Sequence, residues 1–306
     1  MTHTPHNKMQ EPAAKRLKTD LKIDLQHTDG LQLLGGLSKG SVDLVLTDPP
    51  YIVSEISQRG DFYDDVARAG GKPLKTQEEW ERYKNKKNWH SHFVKQGILS
   101  DDAQAAAMAD YEKKYLKFGQ VTGKKYATRT DFGDWDKQFT LSQLRDFVAE
   151  YYRVLKDGGV CIIWFDKWKI ESLAAMMTAV GFRQLRQLVW EKSNPRPLHS
   201  KRNLLPNALE FAVLGVKGVK PFNGSCHSGI FRYKIENKQR FHPTQKNMQL
   251  FEELVNLFTH EGDTVVDTFS GSGTTAVACK CLKRNFWGSE LDPIFFEKSV
   301  KRLLKA

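Results

Sequence analysis

No run of about 18 apolar residues occurs in the 306-residue chain, so the sequence offers no membrane-spanning helix. The first twenty residues are polar and basic and lack the apolar core of a secretory leader. Cysteine is scarce. Four residues are too few for a disulfide framework, and no pair has zinc-site spacing, so no metal is expected. These absences point to an intracellular, soluble protein. Acidic residues are also in deficit, 36 against 47 basic ones, which gives a formal charge of +11. Such an imbalance favours a polyanionic partner, because each contacted phosphate releases condensed counterions. A Lys-rich solubilising surface explains the same charge equally well. Apolar residues are plentiful at 40%, enough for a core and too many for a wholly disordered chain.

Residues 1–20 read as a disordered basic tail. The cluster Lys15-Arg16-Leu17-Lys18 within it has the composition of a nuclear import signal, and a solvated tail is the plain alternative. From Leu21 onward, short apolar runs alternate with helical patterns, as in a mostly parallel sheet. Seven strands are expected: 21–26, 42–47, 160–165, 185–190, 209–214, 264–268 and 286–290. Helices are expected over 141–155, 167–180, 244–260, 273–283 and 294–304. Runs such as Val42-Asp43-Leu44-Val45-Leu46 are mostly apolar, which suits strands covered by helices on both faces. The pattern fails between about 52 and 134, a polar stretch that reads as an insertion with surface helices over 78–87 and 101–118. Further irregular stretches run over 192–207 and 217–240.

Three segments carry chemistry. Asp267-Thr268-Phe269-Ser270-Gly271-Ser272-Gly273-Thr274-Thr275 follows a strand and opens a helix. Its glycines allow close backbone approach to a ligand, and the helix N-terminus offers free N–H groups. Glu290 ends the next strand, where a carboxylate can accept both ribose hydroxyls of a nucleoside. Thr47-Asp48-Pro49-Pro50-Tyr51 also follows a strand. Its prolines would hold Asp48, the Pro49 carbonyl and Tyr51 rigidly at the carboxyl edge of the sheet, beside a planar base with an exocyclic amino group. Phe241-His242-Pro243-Thr244-Gln245-Lys246 precedes a helix that Thr244 would cap. Taken singly, the second and third segments are better read as a turn and a plain cap.

Together and in this order, the three segments resemble those of the DNA amino-methyltransferases, the adenine-N6 and cytosine-N4 enzymes that use S-adenosylmethionine. Asp-Pro-Pro-Tyr near the N-terminus and Phe-x-Gly-x-Gly near the C-terminus match the β-type, circularly permuted order. Asp134-Trp135-Asp136 and Trp190-Glu191-Lys192-Ser193-Asn194-Pro195 also look like family segments. Thr268 and Asn247 depart from it, standing where proline is usual. The resemblance covers residues 21–306 and implies an α/β, Rossmann-like methyltransferase fold with a mostly parallel seven-stranded sheet. It implies that Asp267, Phe269, Gly271, Gly273, Thr274 and Glu290 bind the cofactor, with His242, Thr244 and Lys246 near its carboxylate and Asp29 near its adenine. Asp48, Pro49, Pro50 and Tyr51 would act on the target base.

The amino nitrogen of such a base is a poor nucleophile, because its lone pair is delocalised into the ring. Asp48 and the Pro49 carbonyl would accept its two N–H bonds and aim the lone pair at the sulfonium methyl group. The base must first leave the duplex and stack on Tyr51. Trp190 is a second stacking candidate, although core packing is its better reading. Double-stranded DNA is the expected partner, with a homodimer admitted and no membrane. The region over about 192–240 is the expected target reader, with Lys192, Arg196, Lys201, Arg202, Arg232 and Arg240 as candidate DNA contacts. Within the insertion, Trp80, Trp89, Tyr111 and Tyr115 lie among lysines in a pattern suited to unpaired bases, or to a solvated face. Asp48 at the head of its motif favours adenine. Cytosine N4, an RNA substrate and a catalytically inactive DNA-binding homologue are the alternatives.

Overall fold

The computed structural model describes residues 21–52, 74–121, 139–195, 208–219, 227–236, 241–242 and 244–306. The basic tail, Asp134-Trp135-Asp136, Arg196, Lys201, Arg202 and Arg240 lie outside the described residues. The chain divides into two compact units, one of residues 1–51 and 139–306, the other of residues 52–138.

The larger unit is built on an eight-stranded sheet. Its strands are β1 (Ile23–Gln26), β2 (Val42–Thr47), β3 (Leu155–Phe165), β4 (Arg183–Lys192), β5 (Leu209–Val216), β6 (Ile230–Tyr233), β7 (Thr264–Asp267) and β8 (Asn285–Ser289). The spatial order is β1-β8-β7-β2-β3-β5-β4-β6. All pairings are parallel except the two made by β5. The seven expected strands are all present. The eighth, β6, corrects the strand count: Ile230-Phe231-Arg232-Tyr233 adds to the edge beside β4, in a stretch read as irregular. It is too short and too polar to announce itself, since only Phe231 is buried.

The helices of this unit are α1 (Gly30–Gly35), α5 (Leu141–Val154), α6 (Ile170–Val180), α7 (Met248–Phe258), α8 (Thr274–Cys281) and α9 (Pro293–Lys305). Leu44, Leu46, Val160, Ile162 and Trp164 on the central strands share one core cluster with Leu250, Phe251, Leu254, Val255 and Phe258 of α7. The intervening Val45, Cys161, Ile163 and Phe165 are equally buried and point the other way by strand alternation. Burial on both faces therefore explains the apolar runs. Each such side chain contributes roughly 1.5–3 kcal/mol.

Two departures from the family pattern have physical roles here. Thr268 shares a hydrogen bond of 2.5 Å with the hydroxyl of buried Tyr151 on α5. Asn247 caps α7: its Oδ1 accepts from Leu250 N at 2.9 Å, while its Nδ2 donates to the Lys234 carbonyl at 3.0 Å. The expected cap, Thr244, lies one turn too early and bonds His242 instead.

The smaller unit contains α2 (Gln77–Lys86), α3 (Trp89–Gln96) and α4 (Asp101–Phe118). A reciprocal capping box between Thr76 and Glu79 opens α2. Trp80 is fully buried and packs against Tyr115 at 5.5 Å, and Trp89 stacks on Tyr111 at 5.6 Å. These rings form the core of a helical unit. The reading of Trp80, Trp89, Tyr111 and Tyr115 as a platform for unpaired bases is thereby corrected, because Trp80 and Tyr115 are buried in this core and Trp89 and Tyr111 pack against it. Among the described residues no helix is long and apolar enough to cross a membrane.

Asn247→Ala should cost about 1 kcal/mol through the lost cap. A urea midpoint that falls at unchanged slope would report it, and an unchanged midpoint would show that α7 needs no cap.

Candidate active site

The carboxyl ends of β1, β8, β7, β2 and β3 lie side by side, because these strands run parallel. Asp29, Glu290, the 267–273 turn and Asp48 each follow one of these strand ends. The loop ahead of α7 reaches the same edge through Lys246.

The glycine turn is held from two sides. Inside, the buried Asp267 carboxylate accepts from Thr47 Oγ1 at 2.8 Å, Phe269 N at 3.1 Å and Thr275 Oγ1 at 2.6 Å. Burial raises its carboxyl to about 6 against the pull of these donors. Outside, Ser299 of α9 donates to the Gly271 carbonyl at 2.5 Å, and Arg302 donates to the Ser272 carbonyl and Thr274 Oγ1, each at 3.0 Å. Gly271 and Gly273 have φ of 49° and 70°, left-handed values that only glycine adopts freely. Gly273 is also the N-cap of α8. With its carbonyls drawn toward α9, the turn has the form of a cradle for a ligand.

Around this cradle stand the other expected cofactor residues. Glu290 Oε2 accepts from Gly271 N at 2.7 Å and Oε1 from Asp292 N at 2.8 Å. Each oxygen keeps a further lone pair for a hydroxyl donor. Burial raises this carboxyl to about 7, more than the two backbone bonds lower it. Phe269 packs on Phe147 at 4.8 Å and Phe139 at 5.5 Å. The His242 ring lies against Phe295 and over Gly271, where a Cβ would meet it at 3.4 Å. Thr244 lies beside His242. Asp29 caps α1 by accepting from Leu31 N at 2.8 Å and Gln32 N at 3.2 Å.

At the other end of the edge, Asp48 Oδ2 bonds Lys246 Nζ at 3.0 Å. Its Oδ1 is buried without a hydrogen-bond partner among the described residues. Lys246 also donates to Glu210 Oε2 at 2.5 Å and to Tyr51 Oη at 3.1 Å. Glu210 in turn binds Lys192 through Oε1 at 2.6 Å. Burial pushes the Asp48 carboxyl up to about 6, with Lys246 opposing. Burial pushes Glu210 the same way, but its two lysines prevail and hold it at about 2. Pro49 and Pro50 are buried, and the Tyr51 ring meets Phe165 edge-on at 6.2 Å.

Lys246, expected beside the cofactor carboxylate, thus spends its donors at the Asp48 end. Lys192, expected on DNA, is only 9% exposed and committed to Glu210. Arg232 is exposed on β6 and pairs with Glu191 at 2.9 Å. Trp190 is core, 2% exposed, and its Nε1 donates to the Tyr233 carbonyl at 3.0 Å. Glu210, Ser299 and Arg302 escaped the sequence reading. Only Glu210 left a signal there, as a charge inside an otherwise apolar strand.

A family model described as DNA methylase matches residues 42–301. The type II methyltransferase M2.DpnII of Streptococcus pneumoniae is 30% identical over 303 residues, covering 92% of this chain and 90% of its own length. The M1.HpyAVI–SAM complex is 20% identical, with a TM-score of 0.55 over 92% of this chain and 98% of the neighbour. The cytosine-N4-specific PvuII DNA methyltransferase is 16% identical, with a TM-score of 0.56 over 91% and 85%. The structural neighbours share the fold, and with the family model matching most of its length this chain belongs to the DNA methylase family of N6/N4 amino-methyltransferases.

Proposed function

We propose that the protein methylates the N6 amino group of adenine flipped out of double-stranded DNA, with S-adenosylmethionine as donor. The observation that carries this reading is Asp48 Oδ1, buried and without a hydrogen-bond partner among the described residues, beside an Oδ2 held by Lys246. A buried carboxylate oxygen without a donor costs free energy unless a ligand supplies one. An exocyclic amino group is such a donor.

The residues present fit the cofactor. Gly271, Gly273 and the N-terminus of α8 would receive its methionine end, and Glu290 its ribose hydroxyls. When bound, it supplies an electrophilic methyl group. Everything else is done by the chain. Asp48 Oδ1 and the Pro49 carbonyl each accept one amino N–H, which favours a pyramidal nitrogen with its lone pair directed outward. Tyr51 offers a ring face to the base. Even with its carboxyl raised to about 6 by burial, Asp48 is far too weak a base to remove the amino proton beforehand, so the carboxylate orients the amino group instead. The proton is lost after transfer.

Arg232 is an exposed cation near the expected target-reading region and a candidate phosphate contact. Arg196, Lys201, Arg202 and Arg240 belong to the same proposal through their sequence positions.

Asp48→Asn should abolish methylation while leaving cofactor affinity near wild type. Turnover and calorimetric binding, measured separately, check this, and near-normal turnover would refute the role of Asp48. Nucleoside analysis of the product should show N6-methyladenine, whereas N4-methylcytosine would reassign the base. Glu290→Ala should weaken cofactor binding by roughly 1.5–3 kcal/mol, about tenfold or more in Kd. Because the Glu290 carboxyl titrates near 7 and ribose hydroxyls favour its ionised form, cofactor affinity should fall as pH drops through that value. In Glu290→Gln this dependence should vanish. A wild-type affinity flat across this range would argue against a ribose contact at Glu290.

A further inference from the structure

We propose that Lys246, held by Glu210, is a positioning residue for the catalytic carboxylate: it fixes Asp48 Oδ2 and leaves Oδ1 as the acceptor for the target amino group. The proposal rests on the assignment of Asp48 to that group.

An ammonium has three N–H donors. Those of Lys246 have three partners here, Asp48 Oδ2 at 3.0 Å, Glu210 Oε2 at 2.5 Å and Tyr51 Oη at 3.1 Å. A fourth acceptor, such as a cofactor carboxylate, would displace one of them. The side chain is only 7% exposed, so none of these bonds is weakened by competing water. The groups facing it are Asp48 and Tyr51 from the segment after β2, the Trp164 ring of β3 at 5.6 Å, and Glu210 of β5, with Lys192 of β4 behind Glu210.

The chain Lys192–Glu210–Lys246–Asp48 alternates in sign and ends on Asp48 Oδ2, beside the Oδ1 that lacks a partner among the described residues. Without Lys246 the Asp48 carboxylate would be free to rotate about its Cβ–Cγ bond, and either oxygen could turn away from the base. Without Glu210 the ammonium would be balanced by Asp48 alone.

The arrangement gives two substitutions opposite signatures. Lys246 stabilises the Asp48 carboxylate, so Lys246→Met should raise the Asp48 midpoint and move the acid limb of kcat to higher pH. Glu210 opposes ionisation of Asp48, so Glu210→Gln should lower the midpoint and move the limb to lower pH. Lys246→Arg keeps the charge and should leave the midpoint near wild type. In Lys246→Met, kcat should fall at least roughly tenfold while cofactor Kd stays within about twofold, the division expected when a transition-state contact is lost.

The test measures these variants as full-length protein, with thermal melting as the folding control. The Asp48 carboxyl carbon is followed by ¹³C NMR titration and identified by its loss in Asp48→Asn. Opposite shifts in the two variants support the proposal, and unmoved midpoints overturn it. A Lys246→Met protein that loses cofactor affinity but keeps kcat at saturation also overturns it, in favour of a cofactor contact. If that variant does not fold, the Glu210→Gln shift and the Lys246→Arg midpoint decide. A wild-type protein that methylates no base refutes the Asp48 assignment instead, a result distinct from the titration, which needs no turnover.

Discussion

The buried Asp267 carboxylate is the constraint on which the rest of the site depends. It ends β7 and draws together three elements distant in the chain: Thr47 at the end of β2, the Phe269 amide in the glycine turn and Thr275 in the first turn of α8. Hydrogen bonding between Thr47 and Asp267 sets the distance between the glycine cradle and the Asp48 segment that follows Thr47. A methyl transfer needs its two reactants aligned to within a fraction of an ångström, and that alignment depends on such a link rather than on either binding segment alone. The cost is a carboxyl kept from water, with its pKa raised to about 6. Three donors offset that cost, and losing one of them would leave a partly satisfied buried charge.

The same economy governs the Asp48 end. Asp48, Glu210, Lys246 and Lys192 form two pairs of opposite sign, all largely withdrawn from solvent. Replacing such a cluster by apolar side chains is often neutral or stabilising in proteins, so stability alone is a poor reason for it. What an apolar cluster could not do is hold one carboxylate oxygen while leaving its neighbour unbonded. The arrangement also separates two carboxyls by environment. Glu210, between two lysines, stays ionised down to about 2, while Asp48, similarly buried with one lysine and with Glu210 nearby, is raised to about 6.

The sheet and its principal helices were legible because burial on two faces forces apolar runs and helical periodicity onto the sequence. The edge strand β6 was not, since four residues with one buried side chain leave no periodic mark. The site was legible where chemistry demands particular residues at local spacing. Glycines at Gly271 and Gly273 are required by left-handed backbone, and Asp48-Pro49-Pro50-Tyr51 by a rigid strand end. Contacts made across the fold were not legible. Glu210 lies 36 residues from Lys246, and Ser299 lies 28 from Gly271. The aromatic residues of the insertion misled for a related reason. Interleaved lysines and aromatics are the pattern of a binding surface and equally that of a small helical core with a basic exterior, and only packing distinguishes them.

Chain order contributes less to this site than strand order. The Asp48 segment precedes the glycine turn by more than two hundred residues, yet β2 and β7 are neighbours in the sheet. Parallel strands put all their carboxyl ends on one edge, and the crevice there is formed by whichever loops leave adjacent strands. Loops elsewhere can therefore be cut and rejoined without moving an atom of the candidate site, provided the bonds across this edge survive. Thr47–Asp267 and Lys246–Asp48 are two such bonds, and both join segments that the chain keeps far apart. The geometry of the candidate site thus resides in these bonds across the edge and not in the connections along the chain.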